Sequence, residues 1–135
     1  MRTRSLPVFF CFLLVGLASL AVAQRSSFHD APAPAASLRN PLATTPAAID
    51  AGRAVFLSRC SACHGVKGEG VGNAARLNSG PAQAATPGEI FWFITKGEPE
   101  KNMPSWSVLP AEQRWQLVAY LKSLGKHRGT RKVAN

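Results

Sequence analysis

Apolar and small residues recur at helical spacing in three stretches of the chain, and the first stretch follows Thr45-Pro46. A proline is well tolerated at the first position of a helix, where its missing N–H has no partner to lose. Residues spaced three, four and four apart then share one face of the predicted helix: Ile49, Gly52, Phe56 and Cys60.

The second stretch opens with the run TPGE. Its Thr86 hydroxyl and Glu89 carboxylate are predicted to form a capping box, which satisfies two backbone amides at the start of a helix. The apolar residues that follow are Ile90, Phe93 and Ile94. Gly97 marks the predicted end of this helix.

The third stretch starts near Pro110, runs to Gly125 and carries the broadest apolar face. That face is made by Trp115, Leu117, Val118, Tyr120, Leu121 and Leu124. Residues 65–85 and 97–109 are rich in Gly, Pro, Asn and Ser and are predicted to be loops. No stretch alternates apolar and polar residues convincingly as a strand would, so the predicted fold class is all-α.

The start of the chain reads as a secretory signal peptide over residues 1–23. Arg2 and Arg4 precede an apolar run, and a small-residue cleavage site ends at Ala23. Cleavage there would also remove Cys11 and leave two cysteines in the mature chain. The alternative is an uncleaved segment that anchors the chain in a membrane.

The remaining chain divides into three parts. Residues 24–46 contain four prolines and little that can pack, so we expect a linker or a disordered arm there. Residues 47–125 form the predicted helical domain. Residues 126–135 form a basic C-terminal tail.

The distribution of charge argues against a nucleic-acid-binding protein. The formal net charge is +9, and it becomes +7 when the predicted signal peptide is removed. Residues 47–125 hold eight basic and six acidic side chains, whereas residues 126–135 hold four basic and no acidic ones. The excess is therefore largely a terminal tail and not a basic face with interleaved aromatic residues.

The motif that carries chemistry is the run CSACH, in which Cys60 and Cys63 lie three apart and His64 follows directly. A thiol redox pair of the thioredoxin type needs flanking strands, which this sequence does not predict. A zinc site needs four ligands, and only His29 and His127 remain, both in predicted flexible segments. A disulfide would close too small a loop to stabilise the chain much.

A covalently attached haem accounts for the whole motif. Cysteines three apart on a helical turn face the same way, so Cys60 and Cys63 can both bond the vinyl carbons on one porphyrin edge. His64 is then placed beneath the iron, where a neutral imidazole is a good axial ligand. One haem c is therefore the predicted cofactor.

Met103 is the predicted sixth ligand of the iron. It is the only methionine that remains after signal-peptide removal, and it lies 39 residues after His64 in a loop stiffened by Pro104. A soft, neutral thioether favours ferrous iron and should raise the reduction potential above that of a bis-histidine site.

At these residues the chain resembles the class I (monohaem) cytochromes c of the small exported bacterial type. The likeness covers about residues 47–125, and its motifs are CSACHG, KNMPSW and LVAYLKSLG. It implies about three main helices wrapped around one haem. It also implies that the first and last helices cross closely, with Gly52 permitting the approach and Phe56 packing near Tyr120 and Leu121.

The chain departs from the family at one position. The family often places a proline about a dozen residues after the ligating histidine, and its carbonyl accepts a hydrogen bond from the imidazole. Here Asn73-Ala74-Ala75-Arg76-Leu77 stands in that place, and Pro81 lies too far along the chain to substitute. We expect another backbone carbonyl to accept the bond and Leu77 to pack on the haem.

Other residues near the predicted site have two readings. Trp115 is expected in the core, whereas Trp92 and Trp106 either line the haem pocket or simply pack. Three lysines form either a docking rim for an acidic partner or ordinary solvated surface: Lys67, Lys96 and Lys101.

The sequence therefore predicts an exported, periplasmic electron carrier, not an enzyme. Its partners are expected to be redox proteins with an acidic docking surface, and it would meet a membrane only if the N-terminal segment stays uncleaved. Glu98 and Glu100 read as solvated loop charges. Two alternatives stay open: a dedicated cytochrome subunit of a periplasmic dehydrogenase or oxidase, and a haem enzyme or gas sensor with a labile sixth ligand.

Overall fold

The computed structural model describes residues 27–42 and 45–130, with the side chains of residues 27, 29 and 126–130 left out of the description. The predicted signal peptide and the last five residues of the basic tail lie outside the described residues. Among the residues described, no helix is both long enough and apolar enough to cross a membrane.

The described part of the chain is helical, and it contains no strand beyond an isolated bridge between Glu98 and Met103. Its α-helices are α1 (Ala33–Ala36), α2 (Pro46–Arg59), α3 (Ser61–His64), α4 (Pro81–Ala84), α5 (Pro87–Lys96) and α6 (Ala111–Thr130). Single 3₁₀ turns span Ser27–Asp30 and Pro99–Lys101. The all-α prediction is confirmed.

Helices α2 and α6 cross closely, as the resemblance implies. Gly52 makes the crossing possible, because a Cβ there would overlap the carbonyl oxygen of Gln116 and lie 3.0 Å from the Cβ of Tyr120. One turn later, Phe56 is fully buried, and its ring centroid lies 5.2 Å from that of Tyr120. Leu121 belongs to the same buried cluster.

Helix α5 begins and ends where the sequence predicts. The Thr86 hydroxyl accepts a hydrogen bond from the Glu89 amide at 3.1 Å, and the Glu89 carboxylate accepts one from the Thr86 amide at 2.6 Å. At the other end, Gly97 has a φ of 72°, which turns the chain away from the helix. The capping bonds of Thr86 and Glu89 thus satisfy two of the amides that the start of a helix leaves without partners.

Helix α6 is longer than predicted. It begins just after Pro110, as expected, but it passes through Gly125 and continues to Thr130. A single glycine inside a helix costs only about 1 kcal/mol relative to alanine. The basic residues that follow Gly125 suit the C-terminal end of a helix, where the helix dipole is negative.

The predicted arm packs against the domain where it is described. The Phe28 ring lies 5.1 Å from the Phe93 ring, with an edge-on angle of 65°. Further along, the Asn40 amide donates to the carbonyl oxygen of Trp115 at 2.8 Å. Trp115 itself is half-buried and stacks on Phe91 at 4.0 Å, next to the core.

Candidate functional site

A cavity of about 760 Å³ is lined by residues of α2, α3, α5 and α6 and of the loops between them. Its wall holds all four residues to which the sequence assigns a role at the haem: Cys60, Cys63, His64 and Met103. The structure thus brings together side chains from two segments that are far apart in the sequence. A volume of this size falls within the range of small-molecule and cofactor pockets.

The Cys-Ser-Ala-Cys-His run is positioned by the end of α2 and the short helix α3. The Cys60 amide bonds the Phe56 carbonyl at 2.8 Å, so the first cysteine continues directly from the buried part of α2. The His64 amide bonds the Cys60 carbonyl at 2.9 Å and closes one helical turn. This turn places the side chains of both cysteines and of the histidine in the wall of the cavity.

The imidazole of His64 is held by the backbone. Its Nδ1 lies 2.8 Å from the carbonyl oxygen of Ala75. Because a carbonyl can only accept, Nδ1 carries the proton and Nε2 carries the lone pair. The expected carbonyl acceptor is therefore present without the family's proline, and the nitrogen left to bind a metal is Nε2.

The loop that delivers Ala75 is shaped by glycines. Gly70 has a φ of 79°, and its amide bonds the His64 carbonyl at 2.8 Å. A Cβ on Gly70 would lie 2.8 Å from the Ala74 carbonyl oxygen, so a side chain does not fit there. The buried Leu77 follows, lines the cavity and bonds the Gly68 carbonyl through its amide at 2.7 Å.

Met103 is held by a tight loop that returns to the end of α5. Its amide and carbonyl pair with those of Glu98 at 3.1 and 2.8 Å, with Asn102 in the left-handed conformation between them. The Trp106 amide then bonds the Ile94 carbonyl at 3.0 Å. These bonds hold the segment that carries Met103, whose side chain lines the same cavity as the histidine motif.

Most of the remaining wall is apolar. It includes buried residues from α2, α5 and α6: Phe56, Ile90, Phe93, Ile94, Leu117 and Leu121. Trp106 lines the cavity, whereas Trp92 is absent from its lining. Trp92 instead packs edge-on against Phe93 at 4.9 Å, and the Lys96 ammonium lies 4.6 Å from its ring centroid.

The charged side chains in the cavity wall are Arg59, Glu98 and Lys101. The Lys101 ammonium donates to the Glu98 carboxylate at 2.7 Å, so Glu98 is ion-paired and not merely solvated. Of the three lysines predicted near the site, Lys101 alone lines the cavity, and Lys67 and Lys96 are exposed.

The Cys60 thiol is not activated as the first cysteine of a thiol redox pair would be. Burial, and after it the neighbouring Cys63, raise the pKa of the Cys60 thiol from 9.0 to about 11. The Cys60 sulfur is therefore protonated at neutral pH, whereas a redox pair requires a reactive thiolate at its first cysteine. Cys60 and Cys63 are not joined by a disulfide.

The zinc alternative finds no support within the described residues, where no three His, Cys, Asp or Glu side chains are grouped to hold a metal ion. His29 and His127, the two further zinc-ligand candidates, have side chains outside the description.

Phe28 and Arg59 are among the cavity-wall residues that sequence reasoning missed. Phe28 was assigned to the arm, although an aromatic residue in a Pro/Ala-rich stretch was a signal that the segment packs. Arg59 directly precedes Cys60, and that position alone was the clue to its place at the cavity. The role of Ala75 as hydrogen-bond acceptor could not be read from the sequence, because the acceptor is its backbone carbonyl oxygen and not a side chain.

Comparisons with known proteins give one match to a family model and a likeness to a solved structure. The model of a family described as cytochrome c oxidase, cbb3-type, subunit III matches residues 47–121. Among solved structures, the chain is similar to cytochrome CL from the marine methylotrophic bacterium Methylophaga aminisulfidivorans MPT. The TM-score is 0.54 and the identity 25%, over 62% of this chain and 57% of that one. No curated protein sequence matches the chain.

Proposed function

The chain belongs to the cytochrome c family described as cytochrome c oxidase, cbb3-type, subunit III, and from this premise we propose that it is an exported single-haem electron carrier. A cytochrome c domain carries covalently attached haem c and transfers electrons between redox partner proteins. The narrower proposal concerns the residues that hold the haem, the compartment and the partners.

We assign the haem to the cavity that holds the CSACH motif. Cys60 and Cys63 would form the thioether bonds, Nε2 of His64 would ligate the iron, and the Met103 sulfur would be the second axial ligand. The observation that carries this assignment is that all four side chains line one cavity of about 760 Å³. The donor set of two thiols, an imidazole and a thioether matches the chemistry of a c-type haem.

When bound, the haem supplies a couple that gains and loses one electron. The protein supplies the surroundings that tune this couple. Ala75 fixes the tautomer and orientation of the His64 ring. Leu77 and the buried residues of the wall keep water away, which favours the less charged ferrous form.

The arrangement supports a carrier more than an enzyme. The cavity wall is largely apolar, and its one carboxylate, that of Glu98, is ion-paired with Lys101. A reaction on a bound substrate would require an open position at the iron. The Met103 thioether would block that position if it binds the iron, and its loop is tied to the end of α5 by backbone hydrogen bonds.

A dedicated subunit of a larger redox enzyme is the second candidate. The description of the matching family, which names a subunit of a cytochrome oxidase, favours it. Co-purification with a partner from the native host, in a complex that survives gel filtration, would select this candidate. Isolation as a free monomer would select the carrier.

We propose a periplasmic location and a partner with an acidic docking surface. Lys67, Lys96 and Lys101 are exposed. Two exposed valines lie close in sequence to the haem motif, Val66 and Val71, and Val71 also lines the cavity. Exposed apolar and cationic side chains on one protein suit a transient complex steered by charge, so its association rate should fall as salt is added.

The test is a redox titration of the full chain, produced with covalently attached haem, followed by exposure of the ferrous protein to carbon monoxide. A carrier should give a single reversible one-electron step and bind carbon monoxide poorly at neutral pH. Ready binding would contradict the carrier and would identify the haem enzyme or gas sensor instead.

A further inference from the structure

Residues 27–42, here called the N-terminal strap, reach the cavity that we assign to haem. The Phe28 ring lines that cavity and packs edge-on against Phe93, which lines it too. The family match begins only at residue 47. The strap is therefore an addition to the cytochrome c domain and supplies part of the wall of its central cavity.

The strap is seated on α5 at a tight contact. The Thr86 hydroxyl, at the start of α5, donates to the Ala36 carbonyl at 2.8 Å. A Cβ on Gly88 would overlap the Ala35 carbonyl oxygen and lie 3.0 Å from the Leu38 amide nitrogen. Gly88 thus lets the backbone of the strap lie directly against the first turn of α5.

A second anchor ties the end of the strap to α6. The side-chain amide of Asn40 donates to the Trp115 carbonyl at 2.8 Å, across 75 residues of sequence. Its other atom, Oδ1, accepts a bond from the Leu42 amide at 2.8 Å, which orients the side chain. With contacts at both α5 and α6, the strap is held at its middle and at its end while Phe28 meets the cavity.

We propose that the N-terminal strap closes the haem cavity and that Phe28 shields the haem from water, thereby raising its reduction potential. The proposal rests on the haem function proposed above. Ferric haem carries one more positive charge than ferrous haem, and an apolar, dry wall disfavours the charged form. Removal of the Phe28 ring admits water and shifts the equilibrium toward the ferric form.

The first test compares the reduction potentials of four haem-loaded full-length proteins: the parent, Phe28→Ala, Phe28→Leu and Leu38→Ala. Leu38 is the matched control, because it lies on the strap but is 46% exposed and away from the cavity. At fixed ambient potential, Phe28→Ala should lower the ferrous-to-ferric ratio by about threefold or more, whereas Phe28→Leu and Leu38→Ala should stay close to the parent.

A purely structural role for Phe28 would lower thermal stability and leave the potential unchanged. An unchanged potential in Phe28→Ala, or an equal change in Leu38→Ala, overturns the proposal.

The second test is hydrogen exchange of the strap amides in the haem-loaded parent and in Asn40→Ala. The amides of Ala36, Ser37 and Leu38 bond carbonyls within the strap, in a helix of four residues that would not persist unsupported. They should be protected in the parent and should exchange faster in Asn40→Ala. Fast exchange of these amides in the parent overturns the proposal that the strap is seated on the domain.

The two tests separate failure of the strap from failure of the proposed function. A parent chain without covalent haem defeats the haem assignment, whereas a parent with covalent haem whose potential is unchanged in Phe28→Ala defeats the strap proposal alone.

Discussion

The Nδ1 atom of His64 lies 2.8 Å from the carbonyl oxygen of Ala75, eleven residues further along the chain. The Ala75 carbonyl stands where the resemblance places a proline carbonyl, and the bond leaves Nε2 without a proton, as the proposed bond to iron requires. A backbone carbonyl is placed by the fold of its loop and not by the side chain at that position. The loop from Gly65 to Leu77 therefore determines how firmly the His64 ring is held.

The first prediction concerns this bond. In the ferric, haem-loaded protein, the Nδ1 proton of His64 should give a hyperfine-shifted NMR signal, and it should exchange slowly because it is held in a hydrogen bond to the Ala75 carbonyl. Gly70→Ala should speed its exchange, since φ is 79° at Gly70 and a Cβ would meet the Ala74 carbonyl at 2.8 Å.

The control for the loop is Gly72→Ala. Gly72 also has a positive φ, of 56°, but a Cβ there meets nothing within 4 Å. The Gly72→Ala substitution should cost about 1 kcal/mol of stability through backbone strain alone. The exchange rate of the His64 Nδ1 proton should stay near that of the parent. Rapid exchange of the Nδ1 proton in the parent would show that the Ala75 bond is not formed.

The second prediction concerns the crossing of α2 and α6. Gly52→Ala should lower the free energy of unfolding by about 1–3 kcal/mol, because its Cβ would overlap the Gln116 carbonyl and force the helices apart. Ser58→Ala, at an exposed position of the same helix, should stay within about 0.5 kcal/mol of the parent. Denaturant unfolding measures both, and equal effects would argue against a tight crossing.

The third prediction compares two threonines at helix starts. Thr86→Ala should cost about 1 kcal/mol or slightly more, since it loses the bond to the Glu89 amide and the one to Ala36. Thr45 stands at the start of α2 but makes no side-chain cap bond. Thr45→Ala should therefore cost clearly less in the same unfolding experiment, and a loss equal to that of Thr86→Ala would contradict the capping box.

The fourth prediction concerns covalent attachment. Cys63→Ala should leave a haem bound through Cys60 alone, visible as a changed absorption spectrum of the reduced haem in alkaline pyridine. Ser61→Ala, also between the two cysteines, should keep the parent spectrum because Ser61 does not line the cavity. An unchanged spectrum in Cys63→Ala would refute the assignment of Cys63.

Local patterns in the sequence predicted much of this fold. Thr86 and Glu89 announce the start of α5 because a capping box is a local interaction, and Pro46 and Pro110 mark helix starts for the same reason. Gly52, Phe56 and Tyr120 were paired through the resemblance and not through periodicity. The structure places them at the α2–α6 crossing.

Contacts between distant segments were harder to predict. Proline and alanine in residues 24–46 indicate a chain that cannot build a core of its own, and the strap indeed packs on surfaces that α5 and α6 provide. The sequence analysis placed the end of α6 at Gly125, but the helix continues to Thr130. A glycine inside a helix costs only about 1 kcal/mol, which is too little to end it. The Ala75 carbonyl has no side-chain signature at all.

The most direct test of the central claim is the absorption spectrum of the haem-loaded full chain beside that of Met103→Ala. If His64 and Met103 are the axial ligands, the ferric parent shows the weak red-region band of a methionine–iron bond. Met103→Ala should keep its covalent haem, lose that band and have a lower reduction potential. A parent without the band, or a variant that keeps the band and the potential, would contradict the account.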